Sequence, residues 1–168
     1  MNWLFVRPLL LLGVFAFVAC YNEADRKRNE KLDAAITALR KISSAVEVGV
    51  NYEQYSTLLI EAKAKVDLAK DLFPGDISKQ LDTTLDNYVD ARKAWGEKFR
   101  DWAILDVEDP VSKAILEKYS LPIDTRTWIT DDGRRDSANG IEFDDALHEI
   151  WRIGQQNLDK LIAASKPK

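Results

Sequence analysis

The sequence of 168 residues has one cysteine, one histidine and one methionine. A single thiol excludes both an intrachain disulfide framework and a multi-thiolate metal site. With only 7 glycines and 5 prolines, the composition also excludes collagen-like and Pro/Gly-rich disordered chains. The net charge of −4 gives no indication of general nucleic-acid binding, so nucleic acid is not an expected partner. The remaining class is a globular chain of one domain.

The N-terminal segment has one early positive charge, Arg7, followed by an unbroken apolar run from Leu9 to Ala19 and then Cys20. That run is shorter than the roughly 20 residues that a helix needs to cross a bilayer. A positive residue, a short apolar stretch and a small residue at its end are typical of a secretory signal peptide.

The end of this segment, Phe17-Val18-Ala19-Cys20, resembles the lipobox of bacterial lipoprotein precursors, although that family prefers Leu where Phe17 stands. The resemblance implies that residues 1–19 are a signal peptide and that Cys20 carries a diacylglyceryl group and an N-acyl chain. Stable attachment to a membrane needs two or three such chains. Three other interpretations stay open: an uncleaved signal anchor, an ordinary signal cleavage site just before Cys20, and a buried helix.

The same resemblance predicts a location. In Gram-negative lipoproteins an Asp directly after the cysteine is a retention signal for the inner membrane, and this chain has Tyr21 there. We therefore expect the bacterial cell envelope, and the periplasmic face of the outer membrane if the host is Gram-negative. Residues 20–31 are expected to form a charged, flexible, membrane-proximal stem. Its Arg26-Lys27-Arg28 cluster either meets anionic headgroups or is a solvated helix face.

Apolar residues at three- and four-residue spacing predict four long helices, over 22–48, from 51 to about 73, 77–105 and 141–164. Asn51 with Gln54 forms a predicted capping box, and Asp76 is a predicted N-cap of the third helix. Asp109-Pro110 predicts the start of a short extra helix that ends near residue 119.

These helices predict an all-α fold, an antiparallel four-helix bundle over residues 32–164. The short extra helix and a long loop over 120–140 would connect helices three and four. This loop is rich in turn residues, with a brief extended piece from Ile123 to Ile129. The tail, 165–168, is expected to be disordered.

Catalytic and metal chemistry have few candidate residues. His148 is the only histidine, and Asp145-x-x-His148 is the only analogue of the paired motifs of di-iron bundles. We therefore expect no metal or haem site and interpret His148 as a solvent-facing or satisfied helix residue. Because no nucleophile–base pair is recognisable either, the chain is predicted to be non-enzymatic.

Two acidic segments are candidate binding regions. Asp82, Asp86 and Asp90 repeat every four residues, which either forms a stripe for a cation or basic partner or is a solvated face relieved by neighbouring cations. The acidic region 131–149 does not have the ligand spacing of a regular calcium loop. Several of its carboxylates would also stabilise the N-terminus of the last helix.

The tryptophans complete the functional prediction. Trp95, Trp102 and Trp151 fall on predicted core faces. Trp128 lies in the long loop, where it either anchors an interface or is buried against the bundle. The leading hypothesis is a lipid-anchored envelope protein that binds a protein partner. Its speculative binding residues are Trp128, Asp131, Asp132 and Asp136. The alternative is an envelope protein that binds a small ligand or a cation such as calcium through residues 131–149.

Overall fold

A computed structural model describes the backbone of residues 7–98 and 104–166 and the side chains of residues 23–98, 104–127 and 129–166. This part of the chain is mostly helical, as predicted, but it also contains a small antiparallel sheet, which was not predicted. The elements are α1 (Arg7–Val48), α2 (Tyr52–Lys70), α3 (Asp76–Glu97), β1 (Ile104–Asp106), α4 (Pro110–Tyr119), β2 (Asp124–Ile129), β3 (Arg135–Glu142) and α5 (Phe143–Ser165).

Two of the three predicted helix starts are confirmed. The Asn51 side chain accepts from the Gln54 N–H at 2.9 Å, and the Asn51 N–H donates to the Gln54 side chain at 3.5 Å. Asp109 accepts from the first free N–H groups of α4, which has proline at its start. The prediction for Asp76 is wrong. Gly75, at φ 91°, is the N-cap and Asp76 is already helical, because glycine accepts that backbone angle without strain.

The core lies between the four long helices. α1 packs against α2, α2 against α3, α3 against α5, and α5 against α1. Each helix supplies the apolar stripe that its sequence period predicts. Its buried members include Leu32, Leu39 and Ile42 of α1, Leu59 and Val66 of α2, Leu81 and Leu85 of α3, and Leu147, Ile150, Leu158 and Leu161 of α5.

The backbone of the predicted stem is helical, because α1 runs through residues 20–31 without a break. Ion pairs one turn apart, Arg26–Glu30 at 3.0 Å and Lys27–Glu23 at 2.7 Å, support this exposed part. The Arg28 guanidinium lies 4.2 Å from the ring centre of Phe73, which connects the stem to the turn after α2.

The prediction for helix three is wrong at its end. α3 ends at Glu97, and Leu105 lies in β1, where it is fully buried and pairs with Ile141 of β3. An apolar side chain satisfies a helical and an extended pattern equally well, so pairing with a distant strand decided the structure here. For the same reason Ile141 belongs to β3, and α5 begins two residues later than predicted.

The predicted loop over 120–140 is mainly a β-hairpin. The extended piece is confirmed as β2, but Asn139-Gly140, a predicted turn, lies inside β3. The sheet order is β1-β3-β2, with both pairs antiparallel. Asp131, Asp132 and Gly133 form the connection, and Gly133 has φ 80°. A three-residue loop with glycine in the left-handed region is a common hairpin connection.

Candidate functional site

The hairpin arm, residues 124–142, contains the four speculative binding residues Trp128, Asp131, Asp132 and Asp136. Every described side chain from Ile123 to Ser137 is exposed except that of Thr130, which is half-buried. Burial begins only at the base, with Gly140 and Ile141. Because successive strand residues point to opposite faces, exposure of consecutive residues means that both faces of the outer hairpin are open to solvent.

The four speculative binding residues lie together on the outer half of the arm. Trp128 of β2 is directly opposite Asp136 of β3, and Asp131 and Asp132 form the adjoining turn. The side chain of Trp128 lies outside the described residues, so its place is given by the strand register alone. Asp131, Asp132 and Asp136 are exposed.

Asp132 organises the turn. Its carboxylate accepts from the Thr130 hydroxyl at 2.5 Å and from the Arg134 Nε at 2.7 Å. The hydrogen bond from Thr130, helped by those from Arg134, lowers the pKa of Asp132. Thr130 N–H also donates to the Arg134 carbonyl at 2.8 Å, which closes the loop. Asp132 therefore has a local structural role in the hairpin.

The other acidic residues of the 131–149 region are dispersed over the arm and α5. Glu142 pairs with Arg126 at 3.0 Å, and Asp144 pairs with Lys98 at 3.3 Å. Glu149 pairs with Arg152, whose hydrogen bonds lower the pKa of Glu149. Among the described residues, no three Asp, Glu, His or Cys side chains are grouped so that they could hold a metal ion.

The base of the arm is tightly packed against β1. A Cβ atom on Gly140 would lie 2.1 Å from the carbonyl oxygen of Leu105, far inside van der Waals contact. The neighbouring Val107 N–H donates to the Asn139 carbonyl at 2.9 Å. Close backbone approach therefore explains glycine at position 140, where the sequence analysis expected a turn.

The predicted acidic stripe on α3 does not act as a unit. Asp82 pairs with Lys70, Asp86 is exposed, and Asp90 is buried, with 6% of its surface exposed. The carboxylate of Asp90 accepts from Lys118 of α4 at 2.5 Å and from Lys93 at 2.8 Å. The sequence left two interpretations open, a binding stripe and a solvated face relieved by cations. Neighbouring cations do pair with Asp82 and Asp90, but Asp90 is buried and is not part of a solvated face.

Asp90 is the end of a polar network that the sequence analysis missed. It also accepts from the Tyr119 hydroxyl at 3.1 Å. Asn87 donates to the Tyr119 oxygen at 2.8 Å, and Asn157 of α5 donates to Asn87 at 2.9 Å. Burial would raise the pKa of Asp90, but its lysine partners outweigh burial and lower it. The network joins α4 to α3 and α5.

A second missed group is an aromatic cluster between α2, α3 and α5. Trp95 and Trp151 are half-buried against the core, with ring centres 5.6 Å apart. Tyr55 lies 5.6 Å from Trp95. The Trp151 indole donates to the Tyr55 oxygen at 3.3 Å, and the Tyr55 hydroxyl donates to the Tyr88 carbonyl at 2.9 Å. Burial raises the pKa of Tyr55, so this phenol stays protonated.

The remaining predicted residues are placed as follows. His148 is exposed on α5, as expected of a solvent-facing helix histidine. Cys20 is in the helical backbone of α1, but its side chain lies outside the described residues. Three other predicted features also lie outside the described residues: the side chains of the signal peptide, Trp102, and residues 167–168 of the tail. No described helix combines the length and apolar character needed to cross a membrane.

The chain was compared with protein-family models, curated proteins and solved structures, and nothing in these comparisons matches it significantly.

Proposed function

We propose that this protein is a lipid-anchored, non-enzymatic component of a bacterial cell envelope that binds a protein partner through the hairpin arm. One observation carries the proposal: the outer hairpin is exposed on both faces although it is fully paired. A two-stranded hairpin with no core on either face is at most marginally stable in water. A partner that covers one face would supply the missing burial.

The backbone of the arm supports the same proposal. The Asn139 carbonyl accepts from the Val107 N–H on the β1 side. The backbone N–H and C=O groups of alternate β3 residues therefore point toward β1, and those of the residues between them point toward β2. By register, the N–H and C=O groups of Thr125, Thr127 and Ile129 point away from β3. An open strand edge of this kind is able to pair with an extended segment of another protein.

The scaffold in this proposal is an antiparallel four-helix bundle of α1, α2, α3 and α5, with α4 and the sheet inserted between α3 and α5. The cyclic packing of the four helices and their shared core support it. Native-state hydrogen exchange tests it, because one packed bundle should open the centres of all four helices with a common free energy. Independent opening of α1 would contradict a single bundle.

The anchor is part of the proposal, and it depends on the lipobox resemblance at Cys20. Attachment of lipid there would hold the bundle at a membrane surface and orient α1 outward from it. In the native host, Cys20→Ser should abolish labelling by fatty acid and leave the precursor unprocessed, whereas the neighbouring Tyr21→Phe should preserve both. Normal labelling of Cys20→Ser would refute the anchor.

Site-specific photo-crosslinking in native membranes tests the arm. Ile129 on the arm and Ile60 on α2 are both strongly exposed, at 73% and 69%, so they form a matched pair. A photoreactive residue at position 129 should give one discrete protein adduct, and the same residue at position 60 should not. Equal adducts at the two positions, or none at 129, would argue against the arm as the interface.

The calcium alternative has no specific observation in its favour, since Asp132, Glu142, Asp144 and Glu149 each have a cationic partner. Calcium-dependent thermal stability that Asp132→Asn abolishes would revive it.

A further inference from the structure

A groove between α1 and α5, which shares no residue with the hairpin arm, has features of a ligand site. It has a volume of about 460 Å³, within the range of ligand pockets. Val46 of α1 and Trp151 of α5, both half-buried, contribute its apolar surface. The Trp151 ring contacts Tyr55 and Trp95 of the aromatic cluster, with ring centres 6.1 and 5.6 Å away, and these contacts restrain its position.

Polar side chains without partners surround this apolar surface. Glu47, His148 and Gln156 are exposed at the groove and make no hydrogen bond or ion pair with any other residue that the structure describes. Arg152, which also lines the groove, is neutralised by Glu149. Glu47 offers only acceptors, whereas neutral histidine and the glutamine amide offer both donors and acceptors.

The floor of the groove contains a buried hydroxyl without a hydrogen bond. Tyr88 is 1% exposed, and its Oη makes no hydrogen bond of good geometry with a described residue, although the nearby Ser43 side chain partly offsets the effect of burial on the pKa of the phenol. The nearby Ser43 hydroxyl instead donates to Gln155 Oε1, which bridges α1 and α5. Burial raises the pKa of Tyr88 to about 12, so the group is a neutral donor.

We propose that this groove binds a neutral sugar, with one pyranose ring packed on Trp151 and its hydroxyl groups bonded to Glu47, His148 and Gln156. A pyranose has an apolar C–H face, which packs on an aromatic ring, and an edge of hydroxyls that both donate and accept. Arg152 is paired with Glu149, and the unpaired Glu47 adds a negative charge, so the groove disfavours an anion.

The test is a titration of the ¹⁵N-labelled full chain, followed by NMR. The sugar probes are maltose and N,N′-diacetylchitobiose. A lysine dipeptide is titrated separately as an example of a cationic ligand. One of the two sugars should cause saturable shifts of the Trp151 indole and of backbone amides in the groove. Glu47→Gln should weaken that binding about tenfold, because a charged acceptor is lost. The matched variant Glu117→Gln, on the exposed face of α4, should leave it unchanged.

Three outcomes would overturn the proposal. They are the absence of saturable shifts with either sugar, equal affinity of Glu47→Gln and the unmodified chain, and binding of the lysine dipeptide alone. A second surface variant, Gln156→Leu, guards against misfolding of the first and should also weaken binding. Circular dichroism of each variant shows whether the helices are intact.

Discussion

Gly140→Ala is expected to be among the most destabilising single-methyl additions in this protein. Gly140 is in a strand and does not have a positive φ, so backbone strain is not the reason. The added Cβ would lie 2.1 Å from the Leu105 carbonyl oxygen and 3.0 Å from its carbon. Both contacts are backbone atoms of a fully buried residue, so rotation of a side chain cannot relieve them. β1 must move away from β3.

The expected loss of stability follows from the contacts between β1 and β3 that this movement breaks. β1 pairs with β3 over three residues, and the adjoining Val107 N–H donates to Asn139 at 2.9 Å. Each lost backbone hydrogen bond costs about 1 kcal/mol net, and displacement of buried Leu105 adds a packing term. Loss of two or three bonds with that term gives about 3–5 kcal/mol.

The matched control is Gly133→Ala in the hairpin turn. Gly133 has φ 80° but nothing within 4 Å of an added Cβ, so the only cost is the left-handed backbone, about 1–2 kcal/mol. In urea unfolding, Gly140→Ala should therefore have a lower free energy of unfolding than Gly133→Ala. Hydrogen exchange should show lost protection of the Val107 amide in Gly140→Ala alone. A Gly140→Ala cost equal to or smaller than that of the control would refute the steric argument.

Three further predictions concern single side chains. Tyr55→Phe should cost about 1–2 kcal/mol in urea unfolding, because the Trp151 indole loses its acceptor, whereas Tyr88→Phe should be neutral or stabilising, because its hydroxyl has no partner. Equal costs for the two variants would contradict this. Asp90→Asn should lower stability by about 1–2 kcal/mol at neutral pH. The folded-state pKa of Asp90 is lowered, so its carboxylate stabilises the fold fully above the ordinary carboxyl pKa. This stabilisation is lost as the pH falls through the folded-state pKa. The difference in stability between Asp90→Asn and the unmodified chain should therefore shrink in acid. A difference independent of pH would show that the ion pairs contribute nothing. Asn51→Ala should cost about 1 kcal/mol by thermal melting, and an unchanged melt would mean that the capping box adds no stability.

The sequence predicted those parts of the fold that depend on residues close together in the chain. Helix periodicity selected the buried stripes, and the cap residues Asn51 and Asp109 marked two helix starts correctly. A helix satisfies its hydrogen bonds within about four residues, so its signal is local. The lipid anchor depends on the resemblance of Phe17-Val18-Ala19-Cys20 to a lipobox, and it stays a prediction.

The sheet and the candidate sites depended on contacts between distant segments. Leu105 and Ile141 both fit helical patterns, and only their mutual pairing makes them strands. Asp90 fitted an acidic stripe, and only the docking of α4 brings Lys118 and Tyr119 to it. Trp151 was expected in the core on helix periodicity alone, but the groove beside it exists because α1 and α5 pack at that point.

The amino-acid order by itself determined the helical class, most helix limits and the grouping of Trp128 with the three aspartates in one segment. Tertiary structure alone decided that this segment is a paired, two-sided hairpin, and which polar groups are buried. The physical reason is range: helix formation is settled by neighbours in sequence, whereas strand pairing and burial require surfaces that exist only once distant parts of the chain have met.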